Sequence, residues 1–333
     1  MISKIRQIAK SSKTGIVAYR IFDNWRAGKR FNSGKIDFPE SSALKRKTLA
    51  ESLQYIQTVF RDYLNYSDLS PDKLKGARIL EIGHGDNFGV ALLFLAAGAD
   101  QVICLDKFYS ELDPARQREL YTALRQQLDE MERTRFDNAI TLDETIKINP
   151  KKLKALYGSG IEEAGEKLEP ASFDLIISRA VLEYATDSDA AFSVMDQLLK
   201  SGGWMIHKID LRDDGMFSSS GMHPLTFLTI PDSVYRLMTV NSGRCNRKLI
   251  NYYREKMTSL GYDVKFLITA TLDRGELSPP KDTIKLDADY SQSTVAAIQR
   301  IRPKLSASYR DLSNEDLVIA GIFLIASKES NNH

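Results

Sequence analysis

Cysteines and long apolar runs are both scarce in this chain of 333 residues. Its two cysteines, Cys104 and Cys245, are too few for a disulfide framework, and they match no zinc-ligand spacing. The longest apolar runs, around 90–97 and 317–326, reach about half of the roughly 20 residues that a membrane-spanning helix needs. Residues 1–10 alternate isoleucine with polar and charged residues, so they lack the apolar core of a secretory signal. We therefore expect a cytoplasmic protein that holds no metal.

The charge of the chain is unevenly distributed, although the net charge is only +2. Residues 1–47 carry 12 Lys and Arg against 3 Asp and Glu, a net +9, which leaves −7 for the remainder. Such a basic arm suits phosphate, nucleic acid or an anionic membrane surface, and it equally suits packing over the acidic body of its own chain. We divide the chain into this extension with its helix, residues 1–70, and one domain over residues 71–330.

Hydrophobic patterning predicts an α/β domain in the second part of the chain. A short apolar strand over 77–82 is followed by glycines, by a helix over 88–97 that ends at Gly98, and by a strand over 101–105. The order strand, glycine turn, helix, strand is typical of a parallel sheet covered by helices. Later strand candidates lie at 174–178, 204–209, 263–268 and 317–326.

Two stretches contain more chain than a crossover between neighbouring strands needs, near 107–155 and 211–260. We expect helical insertions there, including a charged helix over 110–135. Apolar residues at helical spacing predict further helices over 49–64 and 181–199.

The glycine turn at 81–89 reads Glu-Ile-Gly-His-Gly-Asp-Asn-Phe-Gly. A nucleotide cofactor laid across a parallel sheet needs backbone N–H donors, a turn without side chains and a carboxylate for its ribose diol. Gly83 and Gly85 suit the turn, and Asp106 at the end of the next strand suits both ribose hydroxyls. A nicotinamide dinucleotide site requires a glycine where this chain has Phe88, with the next glycine one residue late. The other alternative is that the glycines form only a tight turn.

Four segments resemble the motifs of the class I S-adenosylmethionine-dependent methyltransferases, in their small-molecule group. These segments are Leu80–Gly85, Val102–Asp106, Ser178–Tyr184 and Leu198–Gly203. The resemblance covers residues 75–208, and the late strand at 317–326 fits the last strand of that family. It implies an α/β fold with a Rossmann-like, doubly wound, mostly parallel sheet of seven strands, the last antiparallel, with an N-terminal helical extension and helical insertions.

The resemblance also implies S-adenosylmethionine as the cofactor. The positions that it assigns to cofactor binding are Glu81, Gly83, His84, Gly85, Asn87, Asp106, Lys107, Ile161, Glu162 and Arg179. The chain departs from the family at three positions. Asn87 stands where many members have a third glycine, and Tyr184 replaces a common histidine. Ile161 replaces an acidic residue beside the adenine, which leaves Glu162 or the Ile161 backbone to contact the base.

Methyl transfer is an in-line displacement, and a hydroxyl or acidic carbon acceptor also needs a base nearby. The family places acceptor-side groups after the fourth and fifth strands, where this chain has Asp210 and His223. We consider both as catalytic candidates, against the alternatives that Asp210 forms a turn and that His223 caps one. The apolar segment 216–238 either walls an acceptor pocket or packs on the core. Basic residues near it, Arg244, Arg247, Lys248 and Arg254, make an anionic acceptor attractive if they face such a pocket.

The leading hypothesis is a methyltransferase that acts on a small-molecule or glycan- or lipid-linked acceptor. One alternative is a catalytically silent methyltransferase-like binding protein. The other is a nucleic-acid methyltransferase that uses the basic N-terminal arm. No Asn/Asp-Pro-Pro-aromatic tetrapeptide follows the fourth strand, where the chain reads Ser178-Arg179-Ala180-Val181, so we do not expect nucleic acid as the partner. The basic arm suits peripheral contact with a membrane, and the pattern does not fix the oligomeric state.

Overall fold

The structure, a computed structural model, describes residues 12–33, 47–67, 69–110 and 113–329. Its α-helices are α1 Lys13–Asn32, α2 Leu49–Tyr66, α3 Pro71–Leu74, α4 Gly89–Ala96, α5 Pro114–Gln126, α6 Glu130–Ala139, α7 Ser188–Leu198, α8 Asp232–Thr239, α9 Ile250–Leu260, α10 Gln292–Ile301, α11 Ala307–Arg310 and α12 Asn314–Val318. Its strands are β1 Arg78–Ile82, β2 Gln101–Asp106, β3 Ile140–Leu142, β4 Ile146–Ile148, β5 Leu153–Tyr157, β6 Phe173–Arg179, β7 Leu199–Asp210, β8 Asp263–Thr271, β9 Gly275–Lys281 and β10 Ile319–Ser327. Short 3₁₀ helices cover Ile161–Glu166, Leu182–Tyr184, Ser218–Ser220, Pro224–Thr229 and Arg302–Lys304.

The described residues divide into two compact units. The larger unit is drawn from Ile36–Val181, Asp187–His207 and Ile325–His333. The smaller unit is drawn from Met1–Lys35, Leu182–Thr186 and Lys208–Leu324. Within the described ranges, no helix is both long and apolar enough to cross a membrane. The same ranges contain no group of three or more His, Cys, Asp or Glu side chains placed to hold a metal ion.

The main sheet has eight strands among the described residues, in the order β5-β2-β1-β6-β7-β10-β8-β9. Strand β1 pairs in parallel with β2 and β6, and β2 pairs in parallel with β5. Strands β7 and β10 are antiparallel, as the backbone hydrogen bonds from Lys328 N to Gly203 O and from Leu211 N to Ala320 O show. The prediction of a mostly parallel, Rossmann-like sheet with an antiparallel last strand is therefore confirmed.

The strand count differs from the expected seven, because β9 adds an antiparallel edge strand beside β8. Its sequence, Gly-Glu-Leu-Ser-Pro-Pro-Lys, contains two consecutive prolines, which cannot donate ladder hydrogen bonds and are tolerated at sheet edges. The small hairpin of β3 and β4 forms a separate two-stranded sheet. Strand β5 was also missed by the hydrophobic pattern, since lysine interrupts its short apolar run.

The core of the larger unit is built around α4, whose eight residues are all buried. Helix α2 packs against it and starts with a capping box, in which the backbone N–H of Thr48 donates to Glu51 at 2.7 Å and that of Glu51 donates to the Thr48 hydroxyl at 3.3 Å. A Cβ atom on Gly89 would lie 2.5 Å from Cδ1 of Ile56, so this glycine lets α2 and α4 approach closely.

The helix predicted over 110–135 is two helices, α5 and α6, because each has its own N-cap. The side chain of Asp113 accepts from the backbone N–H groups of Ala115 and Arg116, and Asp129 forms a capping box with Glu132.

The helix predicted over 181–199 is likewise interrupted. A 3₁₀ turn comes first, and α7 starts only after Asp187, whose carboxylate accepts from Ala190 N–H at 2.9 Å.

The smaller unit contains the described part of the basic N-terminal extension. Helix α1 is fixed to the α8 region through Asn24, whose amide donates to Leu237 O at 2.9 Å and accepts from Asn241 N at 2.6 Å. Phe22 and Trp25 on α1 stay 53% exposed. The rest of the arm, residues 1–11 and 34–46, lies outside the described residues, so contact of this arm with a membrane stays a prediction.

Most apolar side chains of the segment 216–238 are buried. The buried members are Met216, Phe217, Leu225, Phe227, Leu228, Ile230, Tyr235 and Met238. Core packing, one of the two alternatives for this segment, therefore describes most of its side chains. Met222 is half-buried and lines a cavity within the smaller unit.

Candidate functional site

Four parallel strands of the larger unit end side by side at one edge of the sheet. The glycine turn follows β1, Asp106 ends β2, Tyr157 ends β5 and Arg179 ends β6. Asp106 and Tyr157 are register partners on the adjacent strands. The carboxyl ends of parallel strands are where open α/β sheets bind ligands, and here they bring the predicted residues of the turn and Asp106 together.

Gly83 and Gly85 in the turn both have left-handed backbone conformations, with φ of +77° and +70°. A Cβ atom on Gly83 would lie 2.2 Å from Cγ2 of Val181, so the position excludes any side chain. The N–H of Gly83 donates to Leu105 O at 2.7 Å, which ties the start of the turn to the end of β2. The tight turn thus depends on glycine for both conformation and space.

Asn87, the departure from the family's third glycine, supports the start of α4. Its Oδ1 atom accepts from the N–H of Gly89 at 2.8 Å. Gly89, one residue beyond the position of the third glycine in a dinucleotide site, packs against Ile56. An asparagine that accepts from the first backbone N–H of α4 and a packing glycine two residues later therefore replace the usual glycine at this position.

Asp106 is held in place by two backbone donors. Its Oδ2 atom accepts from Gly85 N at 3.3 Å and its Oδ1 atom accepts from Phe108 N at 3.0 Å. Burial raises the pKa of this carboxyl to about 6, although the two N–H donors oppose that shift. Each carboxylate oxygen has a second lone pair, so both remain able to accept from the two hydroxyls of a ribose.

Glu81, the second-last residue of β1, has a buried carboxyl and is 9% exposed. Burial, together with the nearby charge of Asp106, raises its pKa to about 7, although the Cys104 thiol, which donates to it at 3.6 Å, opposes that shift. No Lys, Arg or His in the described part of the chain forms an ion pair with it. A buried carboxyl of this kind fits the ammonium group of a bound amino-acid moiety.

His84 belongs to an aromatic surface beside the turn. Its ring stacks on Phe88 with centroids 4.8 Å apart and meets the edge of Tyr157 at 5.4 Å. Tyr109 contacts Tyr157 at 5.2 Å. Burial lowers the pKa of His84 to about 4, so the imidazole is neutral. Tyr157 and Tyr109 were not among the predicted residues, and the π faces next to Asp106 suit an adenine ring.

The segment at 160–162 lies in the larger unit where a 3₁₀ helix begins. Ile161 is 3% exposed, and a Glu162 carboxylate oxygen accepts from Asp187 N at 3.4 Å. A Cβ atom built on Gly160 would lie 2.3 Å from Oε2 of Glu162 and 3.8 Å from Cδ of Lys107. The structure therefore brings Lys107 and Glu162 together around Gly160, two of the predicted cofactor contacts.

Arg179 ends β6, but its guanidinium is held by helix α2. It pairs with Asp62 at 2.7 Å and lies over the ring of Tyr55 at 5.7 Å. His207, on β7, is fully buried, and its Nδ1 atom is hydrogen-bonded to the Ser178 hydroxyl at 2.8 Å. His207 thus belongs to packing, as its position within a strand indicates.

The two predicted acid–base candidates are both in the smaller unit, and both already have partners. Asp210 ends β7 and accepts from the backbone and guanidinium of Arg212, with the closest Arg212 Nε contact at 2.9 Å. His223 caps the 3₁₀ helix that follows it, since its Nδ1 atom accepts from Leu225 N at 3.1 Å. Burial and the charge of Arg300 lower the pKa of His223.

Glu183 is an acid–base candidate that the sequence did not reveal. It is 3% exposed, and neither carboxyl oxygen makes a hydrogen bond of normal geometry with the described residues. Burial raises its pKa well above the usual range, and the charges of Asp210 and Asp214 raise it further. A buried, strongly perturbed carboxyl is a common property of groups that transfer protons.

The four basic residues considered as anion contacts all have partners within the smaller unit. Arg244 pairs with Asp214 at 3.3 Å and Arg254 pairs with Asp316 at 2.6 Å. The guanidinium of Arg247 donates to Ile230 O at 2.6 Å and lies over two tyrosine rings. The ammonium of Lys248 lies 4.2 Å from the ring centre of Tyr252. Their charges are therefore used inside the fold.

Comparison with known proteins identifies the family. The pattern of the family described as a methyltransferase domain matches residues 53–259. Similar solved structures include an S-adenosylmethionine-dependent methyltransferase from Mesorhizobium loti, with 15% identity, 84% of this chain and 100% of that chain covered, and a TM-score of 0.40. Another is Haemonchus contortus phosphoethanolamine N-methyltransferase 2 with S-adenosylmethionine, with 15% identity, 81% and 60% covered, and a TM-score of 0.39.

Among curated proteins, no significant match is found. The family pattern spans more than half of the chain and includes the glycine turn, both acidic strand ends and the 160–162 segment. The chain therefore belongs to the methyltransferase-domain family and is an S-adenosylmethionine-dependent methyltransferase, as the sequence motifs predict.

Proposed function

We propose that this enzyme transfers a methyl group to a small molecule or to a glycan- or lipid-linked acceptor. The observation that carries the cofactor part is the pair of carboxyls at adjacent strand ends around the glycine turn, the buried Glu81 and the half-buried Asp106. The acceptor part is supported by the strand end after Ser178, which lacks the Pro-Pro-aromatic segment of enzymes that methylate nucleobase amino groups. There, Arg179 is tied to Asp62 instead.

The residues of the larger unit suit distinct parts of the cofactor. Asp106 accepts from the ribose hydroxyls, because backbone donors orient both of its oxygens. Glu81 pairs with the ammonium group of the methionine part. The aromatic rings of Tyr157 and His84 provide a face for the adenine, with Ile161 and Glu162 at its edge. Asn87 acts through the shape of the turn, since its side-chain oxygen accepts from Gly89 N–H at the start of α4.

The bound cofactor supplies a methyl group on a sulfonium, which becomes a neutral thioether when the bond to carbon breaks. As the acceptor atom forms its new bond to the methyl carbon, its proton must leave. Of the two predicted candidates for a base, Asp210 is tied to Arg212, and the Nδ1 atom of His223 accepts from a backbone N–H.

The proposal predicts that Asp106→Asn lowers the methyl-transfer rate at limiting S-adenosylmethionine by about 30-fold or more, because the ribose loses its carboxylate acceptor. The control is Asp100→Asn, which changes an exposed aspartate of the same unit. Tritium transfer from labelled S-adenosylmethionine into a cell extract, separated into small-molecule, lipid, protein and nucleic-acid fractions, measures both rate and acceptor class.

Label in the small-molecule or lipid fraction supports the proposed acceptor. Label confined to nucleic acid contradicts it, and equal rates for Asp106→Asn and the control contradict the ribose role of Asp106. Titration calorimetry with S-adenosylmethionine separates the two questions, since it reports cofactor binding without any acceptor.

A further inference from the structure

A cavity of about 380 Å³ lies within the smaller unit, and all of its lining residues belong to that unit. Lys13 of α1 borders it, as do His223 and Thr229 at the two ends of the 3₁₀ helix Pro224–Thr229. Arg300, on the last turn of α10, and Lys304, in the 3₁₀ helix that follows, complete the polar lining. Its volume is in the range of sites that hold small molecules.

Among the described residues, the lining of the cavity contains three cationic side chains and no carboxylate. Within the described residues, neither Arg300 nor Lys304 forms an ion pair. The partners of Lys13 in the described part of the chain are neutral: its ammonium donates to the Thr229 hydroxyl at 2.7 Å and to the Thr229 carbonyl at 3.4 Å. Burial lowers the pKa of Lys13, and the like charge of Lys304 lowers it as well. This positive charge differs from that of Arg244, Arg247 and Arg254, which is paired inside the fold.

His223 adds a hydrogen-bond donor to these cations. Its Nδ1 atom accepts from Leu225 N–H, so the neutral ring carries its proton on Nε2. The hydroxyls of Thr226 and Thr229 donate to backbone carbonyls at 2.6 and 2.7 Å. The lining therefore offers charged and N–H donors, which suits a ligand group that has several acceptor oxygens and no proton to give.

The remaining lining is apolar. Met222, Ala297 and Ile301 border the cavity, and none of the three carries a hydrogen-bonding side chain. A ligand that fills the cavity thus has an anionic end and an apolar body. Phosphate suits the anionic end better than carboxylate, since a dianion with three terminal oxygens can engage three separate cations.

We propose that this cavity binds a phosphomonoester with a small apolar body, its phosphate held by Arg300, Lys304, Lys13 and the Nε2–H of His223. The proposal does not rest on the methyl acceptor assigned above, because it concerns binding in the smaller unit alone. The phosphomonoester can be a soluble metabolite or a lipid headgroup, and both share the same recognition chemistry.

Titration calorimetry of the full chain with hexyl phosphate, hexanoate and hexanol tests the proposal. We expect hexyl phosphate to bind and hexanol to show no binding, with hexanoate weaker by about tenfold because it has one charge and two oxygens. The double variant Arg300→Gln/Lys304→Gln should weaken hexyl phosphate by about tenfold or more, since two of three cations are lost. Both residues are exposed, so the variant is expected to fold, and thermal unfolding checks this.

The matched control is Lys265→Gln, which removes an exposed cation of β8 outside the cavity lining. Equal weakening in this control overturns the proposal, since it shows only general attraction of anions. So does equal affinity for hexanoate, or absence of hexyl phosphate binding. Phosphatidylcholine vesicles with and without phosphatidic acid identify the source. Binding to the acidic vesicles together with hexyl phosphate points to a lipid headgroup, whereas vesicle binding alone contradicts a cavity site.

Discussion

Asp106→Asn tests the ribose anchor, because it keeps the shape of the side chain and removes its charge. An amide has one acceptor oxygen, so one ribose hydroxyl loses its partner and the other faces a neutral acceptor in place of a carboxylate. In either orientation of the amide, its NH₂ group also faces one of the two backbone N–H donors, Gly85 or Phe108. That N–H group then loses its acceptor. Summing one lost bond and one weakened bond gives about 2–3 kcal/mol of binding free energy.

That loss corresponds to a dissociation constant for S-adenosylmethionine about 30- to 150-fold higher. Titration calorimetry at pH 8, above the pKa of about 6 for Asp106, measures it with the wild-type carboxyl ionised. Asp100→Asn is the matched control, since Asp100 precedes β2 and its exposed carboxylate pairs with Lys152 at 2.7 Å. A folded Asp106→Asn variant that binds as tightly as the control would refute the ribose role.

Two further predictions concern the same turn. Glu81 has a pKa of about 7 in the free protein, so its ionised fraction rises with pH and cofactor affinity should rise about tenfold between pH 6 and pH 8. Protons should be released on binding, and Glu81→Gln should remove most of this dependence; calorimetry in buffers of different ionisation enthalpy measures both, and a flat wild-type profile contradicts the ammonium contact. Gly83→Ala should lower the free energy of unfolding by about 2–4 kcal/mol, because φ is +77° and the new Cβ atom would lie 2.2 Å from Val181. Chemical denaturation checks this value, Val181→Ala in the same chain should restore part of it, and an unchanged midpoint would show that the turn relaxes freely.

The parts of the fold that follow from local signals were predictable. Strands β1 and β2 and helix α4 are apolar, short and separated by glycines, so their order alone indicates a parallel sheet. Strand β9 was not predictable, because Pro279 and Pro280 argue against a strand unless an edge position is known. The break between α5 and α6 depends on which of several aspartates caps a helix, and Asp129 shows this only in three dimensions.

The candidate site was predicted to a similar extent. The glycines and Asp106 were recognisable because a tight turn and a diol each require one residue type at one place. Tyr157 was missed together with its strand, and Glu183 was missed because its burial depends on residues far away in the sequence. Asn87 as a cofactor contact stays a prediction, and the hydrogen bond of its side-chain oxygen with Gly89 N–H is a contact that the sequence pattern does not reveal.

A crystal structure of the chain with S-adenosylhomocysteine tests the central claim most directly. The account predicts both ribose hydroxyls within hydrogen-bonding distance of Asp106, the amino group beside Glu81 and the adenine against the ring of Tyr157. A ligand bound elsewhere, or a ribose that does not contact Asp106, would contradict it.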